Sequence, residues 1–512
     1  MNGRAVRRTG ERGTKAKGQP CANQPSREQL QRQYERLLRE NEELRRKVAE
    51  REQQLAEREK QIADLERQLA GRKKNSTNSS KPPSSDGLAG EQRPRGRKRK
   101  GKRKPGGQPG HPGHHRRLVP AAEVSDTQVL LPKQCGHCGE NLPQDASQVT
   151  TQGAPQRHQV TEVPPVKVHV TEYQLPNVVC GYCHETTRAL LPEEHAGHFG
   201  PRLTALIAYW TVVCRLPRRL VEAMLADVLG IDISLGSTQK AWEEVSQAVA
   251  QPVGELQEQL PHQAVLNVDE TGWRTNGDKR WLWALVANQF VFYTVAAHRD
   301  TAVLVSLLGA IFRGILCNDR YAVYLTYHSG KMQLCWAHLK RTLQGILDHP
   351  QSLEAKRFAR DALAQYARLF RLWWKFRAGL IDRPQLLDRS KRIKSKFRSL
   401  AISYWDSCDR EVANLANAFG EHFERLFTFL EEPGVEPTNN SAERALRPPV
   451  QWRKISFGNR SGQGEVAVGR LLTVTQTCRM QRRHVLDYLT SAVICRRRRA
   501  TAPSLLPPPP TP

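Results

Sequence analysis

The segment HQAVLNVDETGWRT, His262–Thr275, decides the fold. Its apolar residues alternate up to Asp269, the period of a half-buried strand, and Thr-Gly then reads as a turn. RWLWALVAN (Arg280–Asn288) and FVFYTVAA (Phe290–Ala297) follow as two more strands. TAVLVSLLGAI (Thr301–Ile311) reads as a helix, and GILCNDRYAVY (Gly314–Tyr324) as a fourth strand that delivers Asp319.

Strand, strand, strand, helix, strand, with acids on the first and fourth strands, predicts an α/β core of ribonuclease-H-like fold. In that arrangement the first and fourth strands are neighbours. Asp269 and Asp319, 319 − 269 = 50 residues apart, can therefore share metal ions. TNNSAERALRP (Thr438–Pro448) has helix grammar: Asn439 or Asn440 caps, Ala442 to Leu446 continue, and Pro448 stops. Such a helix can aim Glu443 at the sheet edge as a third ligand. Two magnesium (or manganese) ions about 4 Å apart would then clamp the attacking and leaving oxygens of a phosphodiester. Arg444, Arg447, Arg453 and Lys454 surround Glu443 and suit the phosphates of the same substrate. Taken singly, each acid reads as a surface carboxylate.

The rest of the chain agrees with a polyanionic partner. It has 512 residues and a net charge of +28, clustered rather than spread. No apolar run approaches the ~20 residues that span a bilayer, and the basic start lacks a secretory signal. The expected location is cytoplasmic and nucleoid-associated, so the eleven cysteines read as thiols or metal ligands, not disulfides. Residues 1–26 form a polar, basic tail. Over 27–71, Leu30, Tyr34, Leu37, Asn41, Leu44, Val48, Arg51, Leu55, Arg58, Ile62, Leu65 and Leu69 recur at steps of four and three, a coiled-coil seam. Asn41 at an "a" position favours an in-register homodimer. Residues 72–118 are a low-complexity linker whose Arg97, Lys98, Arg99 and Lys100 bind phosphates without reading sequence.

Between 119 and 195 lie two CxxC pairs, Cys135–Cys138 and Cys180–Cys183, each with glycine after the first cysteine to allow the tight turn. Four thiolates predict a structural zinc site, with the valine-rich QVTEVPPVKVHVTEYQLP (Gln159–Pro176) as a β insert. Residues 196–255 read as helical. A turn centred on Gly230 and a Ser-capped helix from Leu235 to Val249 fit either a helix-turn-helix or a helical packing unit. Residues 260–470 hold the catalytic fold, with an Arg-rich helical insertion at about 340–432; residues 471–512 add a C-terminal helix and a basic, proline-rich tail.

NSTNSSKPPSSDG, KPGGQPGHPGHHRR, the paired CxxC knuckles, VDETGWR, CNDRYAVY, CWAHLKR and TNNSAERALRPPVQWRKISFGNRSG occur in this order between about residues 75 and 470. Together they resemble transposases of the insertion-sequence-66 family. The resemblance implies a DDE transposase whose triad matches Asp269, Asp319 and Glu443, with a zipper-like N-terminus, a zinc-binding domain, a helix-turn-helix and a short C-terminal domain. Arg320 stands where that family commonly has glycine. Cys335 and His338 resemble the CxxH element after the second acid of several DDE enzymes and read as structural support. DNA, a dimer or higher oligomer, and accessory proteins of the element are the implied partners. The rival readings are a metal-dependent nuclease without strand transfer and a catalytically inactive zinc-dependent DNA-binding protein.

Overall fold

The computed structural model describes residues 27–72, 117–195 and 197–506, and the chain divides into two units, Met1–Asn75 and Ser76–Pro512. The first contains one helix, α1 (Arg27–Arg72). Its Leu-, Glu- and Arg-rich sequence has no glycine or proline before Gly71, and Glu43 and Lys47 pair along it at 2.7 Å. Tyr34, Leu37, Leu44, Val48 and Leu55 of the seam are exposed on the single chain. Arg97–Lys100 lie outside the described residues.

The second unit begins with the cysteine module. Strands β1 (Asn177–Val179) and β2 (Thr186–Arg188) pair antiparallel around the second knuckle. A lone bridge, Gln134↔Asn141, closes the first. The knuckles share a design: Cys135 N–H donates to Glu140 O at 2.8 Å, and Cys180 N–H to Glu185 O at 2.9 Å. The left-handed turn residue is not the expected glycine. It follows the second cysteine, at Gly139 (φ 76°) and His184 (φ 58°), whereas Gly136 and Gly181 keep negative φ. The expected β insert forms no strand. Pro164 and Pro165 lack amide donors, and Val160, Val163 and Val170 are more than three-quarters exposed, so no second layer covers an alternating face.

Four helices follow: α2 (Pro201–Val212), α3 (Arg218–Leu229), α4 (Leu235–Ala248) and α5 (Ala250–Glu258). Then come β3 (Val265–Thr275), β4 (Asp278–Val286), β5 (Val291–Ala296), α6 (Thr301–Leu308), β6 (Ile315–Asn318), α7 (Ala322–Tyr327) and β7 (Met332–Leu334). The sheet order is β5-β4-β3-β6-β7; β3, β4 and β5 run antiparallel, and β6 and β7 run parallel to β3. The β3–β4 turn is not at Thr271–Gly272, which pair with Leu282 and Trp281 inside the ladder. It is Asn276–Gly277, with φ of 51° and 89°. An Asn-Gly pair tolerates two left-handed residues and fits the strand twist.

Helices α8 (Trp336–Asp348), α9 (Leu353–Arg377), α10 (Arg383–Ser403), α11 (Arg410–Glu421) and α12 (Phe423–Glu431) form the insertion. Trp336, Phe358, Phe397, Phe419 and Phe427 make its core, so these aromatics serve packing. The chain returns through α13 (Asn440–Ser456), α14 (Gly462–Met480) and α15 (Val485–Arg497). Helix α14 covers the outer edge of the sheet, where the amides of Val291 and Tyr293 donate to Thr477 and Thr473 hydroxyls at 3.1 and 2.9 Å. Residues of α2, α4, the sheet and α13 to α15, together with Leu505, share one hydrophobic core.

The α3–α4 pair forms as expected, with the Ser234 hydroxyl capping α4. Yet α4 is a core helix. Thr238, Ala241, Trp242 and Val245 are buried, α2, α14 and α15 pack around it, and Arg497 clasps Glu244 at 2.7 Å. No described helix is long and apolar enough to cross a membrane.

Helix α13 corrects a further expectation, because it runs through Pro448 and Pro449 to Ser456. Pro449 cannot donate to the Ala445 carbonyl. The Tyr293 hydroxyl supplies that bond at 2.7 Å inside the core. Ala442, Ala445, Leu446, Pro449 and Trp452 keep one continuous apolar face. Tyr293→Phe removes the replacement donor alone and should cost about 1–3 kcal/mol, measured as a lower denaturant midpoint at constant m-value. An unchanged midpoint would show that the helix needs no such donor.

Candidate active site

Side chains alternate along β3, so Asp269 and Glu270 face opposite sides of the sheet. The parallel ladder between β3 and β6 pairs Val265 with Ile315 and Asn267 with Cys317. Two residues beyond that last pair stand Asp269, within β3, and Asp319, just past the end of β6 and near enough to act on the Asp269 carboxyl. Asp269 Oδ1 accepts the Glu270 amide at 2.9 Å, and Asp319 Oδ1 accepts the Tyr321 amide at 3.0 Å. Arg320 lies between Asp319 and Tyr321 with φ of 75°, a conformation glycine adopts freely and arginine does not. The backbone thus explains why glycine is at home in this position.

Glu443 arrives on the first turn of α13. Asn439 occupies the N-cap position but its side chain does not cap the helix. Instead its Nδ2 donates to the Val268 carbonyl at 2.8 Å, its Oδ1 accepts from Asn267 Nδ2 at 3.0 Å, and its backbone N–H donates to Cys335 Sγ at 3.1 Å. The helix start is therefore fastened to the residue preceding Asp269. Glu443 Oε1 accepts from Arg341 Nη2 at 2.9 Å and lies 3.6 Å from His338 Nε2. Burial, then the Arg341 charge, pushes the His338 pKa below its ordinary value, so the imidazole is neutral at pH 7. Cys335 Sγ accepts the Asn439 amide; its thiol is buried and pushed up to about 11, chiefly by that burial.

The acids share one electrostatic field. Burial raises the Asp269 pKa well above its ordinary value, and repulsion from Glu270, Asp319 and Glu443 raises it further. Among the described residues, the second oxygens of Asp269, Asp319 and Glu443 have no hydrogen-bond partner. Hard, uncompensated oxygens of this kind fit magnesium or manganese. The three carboxylates do not all approach within 4.8 Å; the described group that does is Cys335, His338 and Glu443. Two ions about 4 Å apart bridge wider ligand sets than one ion can.

Sequence reasoning missed two residue groups. Glu270, with its side chain fully buried, pairs with Arg299 and accepts the Tyr324 hydroxyl. Arg299 also lies over the Tyr321 ring, 3.7 Å from its centroid. The signal was the adjacent Asp-Glu in an alternating strand, which must send one acid inward toward a cation. The second is Arg341, whose spacing of three from His338 and six from Cys335 sets all three on one side of α8. Of the basic residues predicted beside Glu443, Arg444, Arg447 and Lys454 are exposed. Arg453 is half-buried, with Nη1 3.4 Å from Thr271 Oγ1.

The cysteine knuckles are formed, and backbone amides of Cys138 and Cys183, the main cause in each case, lower the Cys135 and Cys180 thiol pKa. No three of the four sulfurs lie within 4.8 Å of one another. The donors suit zinc, but the two knuckles are not placed as a tetrahedral set.

Residues 196–467 match the family described as "Transposase IS66 family", and residues 17–117 match a family of unknown function. Two uncharacterized proteins of Sinorhizobium fredii (strain NBRC 101917 / NGR234) are similar. Protein y4jO is 29% identical over 159 residues, 30% of this chain and 45% of y4jO. Protein y4qI is 24% identical over 243 residues, 42% of this chain and 43% of y4qI. The chain spans less than half the length of either relative.

The Asp269 environment has a measurable sign. Its folded-state pKa is raised, so its contribution to stability is present at low pH and is lost as pH rises through that pKa. Without divalent ions, Asp269→Asn should be more stable than wild type at pH 7, by on the order of 1 kcal/mol, and the difference should shrink on acidification. A less stable variant at pH 7, by thermal melts, contradicts the crowding of acids.

Proposed function

The chain belongs to the IS66 family of transposases, and we propose that it is a DDE transposase that cleaves the ends of its mobile element and joins them to target DNA. The single observation that carries this is the equal register of β3 and β6, which sets Asp269 beside Asp319, with the Glu443 helix pinned to Val268 by Asn439. A five-stranded sheet with three antiparallel and two parallel strands in this order supports a ribonuclease-H-like core.

Asp269, Asp319 and Glu443 would hold two magnesium or manganese ions, which supply Lewis acidity to an in-line displacement at phosphorus. The strands fix the two aspartates and α13 brings the glutamate. Water attacks phosphorus at the element's end, the P–O3′ bond breaks, and the element keeps a 3′-hydroxyl while the flanking strand keeps the 5′-phosphate; the same residues would then align that hydroxyl on a target phosphodiester, whose own 3′-oxygen leaves as the new bond forms. No side chain becomes bonded to DNA, so no serine or tyrosine nucleophile is required. Exposed Arg444 and Arg447 flank Glu443 on α13 and suit phosphate contacts. Exposed apolar seam residues on α1 support dimerisation through a coiled coil. The two knuckles each present a pair of thiols, and would have to draw together to hold one structural zinc ion.

Asp269→Asn, Asp319→Asn and Glu443→Gln should each slow magnesium-dependent cleavage of end-containing DNA by about 10³-fold or more. The wild type should also join pre-cleaved ends to a plasmid. Joining separates a transposase from a nuclease built on the same acids, and wild-type cleavage by Asp269→Asn would sink both.

A further inference from the structure

The CWAHLKR segment has a face that the reaction above does not use. Cys335, His338 and Arg341 are spaced by three along the start of α8, and Glu443 lies against them. Ligand atoms of Glu443, Cys335 and His338 all lie within 4.8 Å of one another, whereas the three carboxylates do not come together so closely. Its charge partner is Arg341, at 2.9 Å, with the two side chains only 29% and 17% exposed. Arg341 Nε is itself buried with no hydrogen-bond partner among the described residues, and Arg320 Nε is in the same condition. Both guanidinium groups therefore have donors left over, which an anion with several oxygens would satisfy.

We propose that Arg341 is a placeholder cation: it holds Glu443 toward α8 in the metal-free protein, yields it when divalent ions bind, and then turns its guanidinium to a phosphate oxygen of the DNA strand. This rests on the assignment of Glu443 to the metal site. The helix is the fixed partner in the exchange. Trp336 N–H donates to Pro437 O at 3.0 Å, and its indole donates to Leu426 O at 2.6 Å, so the start of α8 is tied to the insertion and to the segment leading into α13. What can move is the Glu443 side chain, which has rotamers to spare and one oxygen already without a protein donor. Arg341 is a positioning residue for Glu443 before it is a ligand for substrate.

A merely structural arginine and a placeholder differ in sign. Manganese binding to the full-length protein without DNA, followed by electron paramagnetic resonance of the free ion, should tighten about fivefold in Arg341→Gln, because the competing cation is gone. Cleavage by the same variant at saturating manganese should fall about tenfold or more, because a phosphate contact is lost. Arg341→Lys keeps the charge but not the planar fork, so it should bind manganese as the wild type does and cleave slowly. In the Glu443→Gln background the tightening should vanish. Unchanged or weaker manganese binding in Arg341→Gln overturns the inference; if that variant does not fold, tighter binding by Arg341→Lys than by wild type overturns it equally. Asp269→Asn separates the two levels. If it binds manganese as wild type does, the carboxylate site itself is wrong; if it loses manganese while Arg341→Gln shows no tightening, only the role of Arg341 is wrong.

Discussion

The parallel pairing of β3 with β6 is the constraint from which the site follows. Because Asn267 faces Cys317, the two aspartates stand side by side where the short strand β6 ends. A slip of one residue would send Asp269 to the opposite face and bring Glu270 forward in its place. The register is held from both sides. Leu266, Val268 and Leu316 are fully buried in the core, so sliding either strand would expose apolar side chains. The Asn-Gly hairpin fixes β4 against β3, and the threonines of α14 close the outer edge at β5.

The third acid is brought in by longer-range contacts. It follows the second by 443 − 319 = 124 residues, and the helical insertion has a core of its own. A long excursion costs little extra closure entropy once its ends are held. Here they are held by Asn439, which contacts β3 and Cys335 together, and by Trp336, whose amide takes the Pro437 carbonyl. The conspicuous asparagines of the TNNSAER segment thus serve the sheet more than the helix, and Cys335 is one of their anchors.

The strands were legible because they rest on local periodicity, the apolar alternation of β3, β4 and β5. What could not be read depends on partners far away in sequence. The two prolines of α13 looked like a stop until a tyrosine 152 residues away supplied the missing donor. How α4 packs could not be read because helices α14 and α15, which lie against it, are more than 200 residues downstream. The valines of Gln159–Pro176 alternate as a strand should, but alternation makes a sheet only where a second strand offers hydrogen bonds. The Thr-Gly after Glu270 was mistaken for a turn because the stronger signal, Asn276–Gly277, lay five residues further on.

Four acids crowd one region, and their partners sort them by purpose. Glu270 is wholly inside, and both its oxygens are taken, one by Arg299 and one by Tyr324. A buried charge so completely matched is a folding element, and removing either partner would strand it. Asp269 and Asp319 each spend one oxygen on a backbone amide of their own turn, which orients the carboxylate without neutralising it. Glu443 stands between these cases, with a guanidinium on one oxygen and nothing among the described residues on the other. Repulsion among these acids raises the free energy of the folded chain. A protein that needed only stability could replace those aspartates with asparagines. Keeping oriented carboxylates crowded together is the arrangement a divalent cation relieves.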